Sequence, residues 1–200
     1  MTTTSATTST LKWNPQLVDQ LDFHWQHQLR RRLEGLTDEE YFWEPVPDTW
    51  SLRPRGTSRA PVQAGSGDLA LDFAMPEPVP PPVTTIAWRV AHIVVGCLAM
   101  RSASHFGREP TDYQSWTYAG SAAEALEQLD AEYAVWRDGV RTLGEEGLSR
   151  PCGPAEGPYA EFPMATLVLH INREVIHHGA EIALLRVLYA RSPHPDRKDS

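Results

Sequence analysis

Apolar residues recur at helical spacing in four separate stretches of the chain, which predicts four amphipathic helices. The stretches are residues 14–35, 84–106, 121–143 and 163–192. Asn14 is the predicted N-cap of the first, before a first-turn proline, and Ser121 with Glu124 forms a capping box that opens the third. The second stretch is apolar almost all round, which predicts burial on several sides.

Residues 37–84 are rich in proline, glycine and charge and have too few periodic positions for long helices. A connection of this length predicts a functional or mobile segment that covers one end of the fold, with "LALDFAM" as a short strand or a lid. The predicted fold is therefore all-α, a four-helix bundle with a long Pro-rich crossover between helices 1 and 2. Residues 14–192 form the bundle, and residues 1–13 and 193–200 are tails, the first Thr/Ser-rich and disordered.

The net charge and the hydropathy of the chain argue against nucleic acid and membranes as partners. The formal net charge of the 200 residues is −8, with no Lys/Arg-rich block, so nucleic acid is not expected as a partner. No run approaches the ~18 apolar residues of a membrane span, and the N-terminus lacks the order of a signal peptide. We expect a cytoplasmic protein that does not bind membranes, whose two cysteines, Cys97 and Cys152, are free structural thiols.

The fourth helix carries an unusual polar stripe. At about 100° per residue, its members fall within an arc of about 100° with apolar residues on both sides. The members are His170, Glu174, His177, His178 and Glu181. A stripe flanked in this way is not an obvious solvated face, and burying such groups without partners is costly.

Glu174 and His178 lie one helical turn apart, where a carboxylate and an imidazole can reach the same cation. A third ligand must come from another element, and His92, in the apolar core of the second helix, is the candidate. Three protein ligands with open positions are typical of a catalytic metal site. The alternative is that His92 is a hydrogen-bonded core residue and that the Glu/His pair lies on a surface helix, since spacing alone cannot join two helices.

Three motifs together resemble the DinB/YfiT-like superfamily. They are "LEGLTDEEYFWEPVPDTWSLR", "TTIAWRVAHIVVG" and "HINREVIHHGAEIALLRVLY", and their order spans most of the chain. The likeness is strongest to actinobacterial members related to mycothiol-dependent enzymes. The resemblance implies an up-down-down-up four-helix bundle that forms a homodimer.

The resemblance also implies one divalent metal ion, held by a His of the second helix and a His/Glu-xxx-His pair of the last. Carried over, the ligands are His92, Glu174 and His178; many members have His where Glu174 stands. Zinc is the first candidate, with nickel, iron and manganese as alternatives. Characterised members bring a thiol to a metal, which implies a low-molecular-weight thiol and a small electrophile as partners.

Other residues are candidates for supporting roles. His170 and His177 are candidates for orienting the ligands or protonating a product. His24, Trp25 and Trp50 are candidates for substrate binding. The alternative for His24 and Trp25 is core packing, and for Trp50 a hydrophobic plug that ties the crossover to the bundle.

Three hypotheses for function follow. The first is a metal-dependent enzyme that transfers a small thiol, mycothiol-like, to an electrophile. The second is a metal-assisted isomerase or hydrolase at the same site. The third is a metal-binding stress-response bundle without enzymatic activity, because a fold alone does not define chemistry.

Overall fold

The computed structural model describes residues 10–193, which are mainly helical with one small sheet. Helix α1 occupies residues 13–32 as Trp13–His24, the π-helical Trp25–Leu29 and Arg30–Arg32, and α2 is Asp38–Tyr41. Helix α3 occupies residues 86–105 as Ile86–His92, the π-helical Ile93–Ala99 and Met100–His105. Helices α4, Ala122–Ser149, and α5, Met164–Arg191, follow, with a 3₁₀ turn, Pro154–Tyr159, between them.

The long helices share one apolar core. Helices α1 and α3 each pack against both α4 and α5, so that α3 is enclosed by its neighbours. Trp136 of α4 is completely buried, together with Ile93 of α3 and Ile182 of α5. Burial of one such side chain contributes roughly 1.5–3 kcal/mol, so these contacts are the main source of stability.

Helix α3 is apolar because it lies in this core. Over Ile86–His105 it is long and apolar enough to cross a membrane by length and composition, but 67% of its apolar window is buried inside the protein. The enclosing helices therefore account for its composition. Thr85 caps its first turn by accepting a hydrogen bond from the backbone N–H of Trp88 at 3.2 Å.

The prediction of an all-α fold is wrong in one respect, because the crossover contains a three-stranded antiparallel sheet. Its strands are β1, Leu52–Pro54, β2, Val62–Ala64, and β3, Leu69–Phe73, in the order β1-β3-β2. The strand alternative for "LALDFAM" is thus confirmed. Asp72 of β3 is buried and accepts hydrogen bonds from the Ser51 backbone N–H and from Arg53 Nε, both at 2.9 Å, which fixes β1 against β3.

The predicted helix ends agree with the structure to within a few residues, except at the start of α1 and the end of α4. Helix α4 continues to Ser149, six residues beyond the predicted end, with a non-helical residue at Gly144. Ser121 accepts from the backbone N–H of Glu124 at 3.2 Å, which confirms the capping box. Asn14 is not an N-cap: α1 begins one residue earlier, and the Asn14 amide donates to the Val140 carbonyl at 2.8 Å, tying α1 to α4. Of the predicted tails, residues 1–9 and 194–200 lie outside the described residues.

Candidate metal centre

His92 enters the site from the middle of α3, directly before the π-helical segment Ile93–Ala99. Its ring is stacked on Trp88 with centroids 5.4 Å apart, and its Nδ1 lies 2.7 Å from the Tyr113 hydroxyl. Burial lowers the pKa of His92 to about 3, with the nearby His178 and Arg89 adding to the shift. The imidazole is therefore neutral at pH 7, the form in which one ring nitrogen keeps a free lone pair.

The π-helical segment makes room for the Tyr113 hydroxyl. Gly96 lies within this segment, and a Cβ built there would collide with the Tyr113 hydroxyl and would lie 3.3 Å from His92 Nδ1. A side chain at position 96 would therefore displace the partner of His92. Wide turns of this kind are frequent at functional sites.

Helix α5 supplies the other donors. His178 is 8% exposed, and its Nε2 lies 3.4 Å from Glu174 Oε2. Its other ring nitrogen, Nδ1, lies 2.7 Å from Glu181 Oε2. With the proton on Nδ1, His178 donates to Glu181 and presents the Nε2 lone pair on the side of Glu174. A carboxylate on the outer nitrogen is the usual way to orient a histidine that binds a metal.

The two helices meet at His92 and His178. Their rings are in edge-to-face contact, with centroids 4.7 Å apart and an interplanar angle of 87°. The structure thus places His92 of one helix and Glu174 of the other next to His178, a contact between helices that the sequence could not establish. Each histidine has its Nδ1 hydrogen-bonded to an outer partner, Tyr113 or Glu181, which leaves Nε2 for a ligand.

A second set of potential ligands overlaps the first. His177, His178 and Glu181 place one ligand atom each within 4.8 Å of one another and could hold a metal ion. This set lies nearer the surface, because the side chain of His177 is 64% exposed. Both sets contain His178, and they differ in which of its ring nitrogens would bind.

Arg89 already neutralises the outer set. Its Nε lies 3.0 Å from Glu181 Oε2, and its guanidinium carbon lies 5.1 Å from the centre of the Trp88 ring. Burial lowers the pKa of Arg89, and the charge of Glu181 partly offsets this effect. A cation bound to Glu181 would have to face this guanidinium directly. Arg89 Nη1 also lies 3.5 Å from His178 Nδ1, so its charge acts on the inner set at longer range.

The remaining predicted residues lie in different surroundings. His170 Nδ1 is 3.4 Å from Glu174 Oε1, so it borders the site. The ring centroids of Trp50 and Trp88 are 6.1 Å apart. This position agrees with the interpretation of Trp50 as a hydrophobic plug between the crossover and α3. Trp25 is buried and stacks on Tyr133. The buried His24 lies against the backbone of Gly179, on the opposite side of α5 from Glu174. These surroundings favour packing roles for both residues.

The sequence did not identify two residues that shape the site, Tyr113 and Arg89, and it did not assign the role of a third, Glu181. Tyr113 lies in the irregular segment between α3 and α4, where no periodic pattern marks it. Arg89 carried a signal, since it is a charged residue one turn before His92 in an apolar helix. Glu181 was recognised as part of the stripe, but its role beside His178 depends on the side-chain arrangement.

The donor set fits a divalent cation. Imidazoles and carboxylates are ligands that zinc and other transition metals accept, and His177, His178 and Glu181 are a group of the described residues that could hold a metal ion. The lowered pKa of His92 favours the neutral form that a metal requires. The donors gathered around His178 are therefore suited to a divalent cation.

The described residues are mainly helical and include a His/Glu group on α5 that could hold a metal ion. Residues 20–182 match the DinB superfamily, and the chain belongs to that superfamily. No curated protein and no solved structure matches the chain significantly.

Tyr113→Phe tests whether the hydroxyl orients His92. The variant keeps the ring and removes the partner of Nδ1, so we expect the affinity for zinc to fall by about 10–100-fold, as for other outer partners of metal-binding histidines. Competition with a chromophoric chelator measures this affinity. Tyr118→Phe is the matched control, because its hydroxyl donates to the Tyr113 carbonyl and not to His92; an equal loss in both variants would contradict the assignment.

Proposed function

We propose that the protein is a divalent-metal-dependent enzyme whose ligands are His92, Glu174 and His178, with zinc as the first candidate ion. The observation that carries this proposal is the contact between the rings of His92 and His178, made by two different helices beside the Glu174 carboxylate. Titratable groups collected in this way within an apolar core are more typical of a functional site than of packing.

The inner ligand set is favoured over the set that contains His177. Arg89 is paired with Glu181, and the side chain of His177 is largely exposed. In the inner set, Glu181 is instead the group that orients His178, and Arg89 balances its charge. Each charged group near the site then has a partner.

The proposed reaction is transfer of a low-molecular-weight thiol, mycothiol-like, to a small electrophile. When bound, the metal lowers the pKa of the thiol and holds the thiolate, which is the nucleophilic form. The thiolate sulfur forms a bond to an electrophilic carbon, the bond from that carbon to its leaving group, such as a halide, breaks, and the leaving group departs with the electron pair. The proton lost by the thiol must be accepted elsewhere. His170 and His177 border the ligands and are exposed enough to exchange that proton with water.

The surrounding residues position the reactants and limit water. Trp88 covers one face of His92, and its indole Nε1 donates to the Asp72 carbonyl at 2.8 Å. This hydrogen bond joins the site to strand β3, so the small sheet acts as a wall. Trp50 closes the same wall from outside, which excludes water from the His92 side and strengthens electrostatic interactions within the site.

The finer features of the fold are also proposals. We infer that the four long helices form a DinB-type bundle in the order up-down-down-up, and that two chains pair as a homodimer. Low-molecular-weight thiols are kept reduced in the cytoplasm, so this is the compartment that the proposed reaction requires.

An assay with and without thiol tests the proposal. Purified protein loaded with zinc is mixed with a chromogenic electrophile, 1-chloro-2,4-dinitrobenzene or monobromobimane, in the presence of mycothiol, bacillithiol or no thiol. We expect turnover that requires a thiol and saturates with its concentration. Turnover that is the same without thiol would contradict thiol transfer and favour isomerase or hydrolase chemistry, and no turnover with any pair would favour a metal-binding role.

A further inference from the structure

A cavity of about 550 Å³ lies between the 3₁₀ turn Pro154–Tyr159 and the N-terminal half of α5. This volume is in the range of small-molecule sites, roughly 300–1000 Å³. The cavity is separate from the proposed metal ligands, none of which lines it. Its lining combines basic side chains with exposed aromatic rings.

Two arginines and one glutamate line the cavity, which leaves one net positive charge there although the whole chain carries −8. Arg101, His170 and Arg173 line it, and Glu156 is its acidic member. The Glu156 carboxylate is buried against His105 Nε2 at 2.8 Å and Arg101 Nη1 at 3.2 Å, so its charge is already paired. The side chain of Arg173 is 69% exposed, with its Nη2 2.7 Å from His170 Nδ1.

Arg101 also has an unused donor. Its Nε is buried and has no hydrogen-bond partner among the described residues. A buried N–H that has lost water without gaining an acceptor is destabilising. An acceptor oxygen brought by a ligand would remove this cost.

The apolar part of the cavity consists of two aromatic rings. Tyr159 and Phe162 are 63% and 48% exposed, and their rings pack edge to face with centroids 5.8 Å apart. Two large rings on a short loop are a contact surface for the apolar body of a ligand. Leu167 of α5 lies at the same cavity and continues this apolar surface.

Glu174 connects the cavity with the candidate metal centre. Its Oε1 lies 3.4 Å from His170 Nδ1 and 3.6 Å from Arg173 Nε, and both of these residues line the cavity. Its Oε2 lies 3.4 Å from His178 Nε2. One carboxylate thus borders both places. Arg173 precedes His178 by five residues of α5, a rise of about 7.5 Å along the helix axis, so a molecule bound beside Arg173 would lie near the candidate metal centre.

We propose that this cavity binds an organic anion with an apolar body. Arg173 and Arg101 bind its carboxylate, and Tyr159 and Phe162 contact its body. That the anion is the electrophilic substrate rests on the proposed function, whereas binding itself does not depend on a metal.

Binding of 2-naphthoate tests the inference. Calorimetric titration of the full chain, with metal removed by chelation, compares this anion with the neutral 2-naphthalenemethanol. We expect 2-naphthoate to bind at least about tenfold more tightly than the neutral alcohol, because only the carboxylate can form a charge-assisted hydrogen bond with an arginine. Arg173→Met is expected to remove this preference, and Tyr159→Ala to weaken both compounds.

Arg31→Met is the matched control, because Arg31 is exposed on α1 and does not line the cavity. Equal binding of the two compounds, no binding at millimolar concentration, or equal losses in the Arg173 and Arg31 variants would overturn the inference. Metal content is measured separately on the same preparations. If the protein holds a metal but does not bind the anion, this inference is wrong and the proposed function is unaffected. If the protein binds the anion but holds no metal, the proposed function is wrong and this inference is unaffected.

Discussion

Protein carrying His178→Ala is expected to lose more than about 100-fold in metal affinity and all thiol-transfer activity. His178 is the residue on which both possible ligand sets depend. Its removal leaves His92 and Glu174 on different helices with no shared partner. Mutation of a residue that only hydrogen bonds to a metal ligand already lowers metal affinity by about 10–100-fold, so loss of the ligand itself is expected to have a larger effect.

The fold should survive this substitution. His178 is buried next to the surface, and its loss leaves Glu181 paired with Arg89 at 3.0 Å. We expect the free energy of unfolding to fall by about 1 kcal/mol, as for an ordinary substitution, when both proteins are compared with a chelator present. Metal content, turnover and denaturant unfolding measure the three effects. Full activity in a metal-free His178→Ala protein would contradict the account.

Arg186→Met is expected to lower the free energy of unfolding by about 3 kcal/mol. Arg186 of α5 holds the Glu40 carboxylate through two contacts, Nε to Oε1 at 2.6 Å and Nη2 to Oε2 at 2.9 Å. Its Nη1 donates to the Glu34 carbonyl at 3.0 Å and to the Arg32 carbonyl at the end of α1. Glu40 is 5% exposed, so the substitution leaves a buried carboxylate without its partner.

Urea unfolding at neutral pH measures this loss, with Arg31→Met as a control that should change stability by less than about 0.5 kcal/mol. The double variant Glu40→Met with Arg186→Met removes both charges and should recover part of the loss. If Arg186→Met and Arg31→Met both lower the free energy of unfolding by a similar, small amount, the ion pair between Arg186 and Glu40 does not anchor α5 to the start of the crossover. These contacts assign Arg186 a structural role as the salt-bridge partner of Glu40.

Local sequence signals were sufficient for most helix boundaries. Ser121 and Glu124 cap α4 through contacts within one turn, and the proline at position 163 immediately precedes α5. Such features depend on neighbours in the chain and can be predicted from it. The start of α1 was wrong because the Asn14 side chain bonds to Val140, which is distant in sequence.

The sheet was missed because its strands are held by distant partners. Strands β1 and β2 have three residues each, too few for an alternating pattern. Their stability depends on β3 and on the buried Asp72, which hydrogen bonds to Ser51 and Arg53. No local pattern in the crossover predicts that pairing.

The candidate site was predictable on one helix and not across two. The spacing of Glu174 and His178 follows from helical geometry, and α5 places them side by side. The approach of His92 to His178 depends on how α3 packs, and the partner on His92 comes from Tyr113 in an irregular segment. The roles of His24, Trp25 and Trp50 in substrate binding stay predictions, as does the homodimer.

The central claim is that His92, Glu174 and His178 hold one divalent ion. Its most direct test is the metal content per chain, by inductively coupled plasma mass spectrometry, of the wild-type protein, His92→Ala and His177→Ala after reconstitution with zinc. We expect about one ion per chain in the wild-type protein and in His177→Ala, and none in His92→Ala. Wild-type protein without metal, or metal retained by His92→Ala and lost from His177→Ala, would contradict the claim.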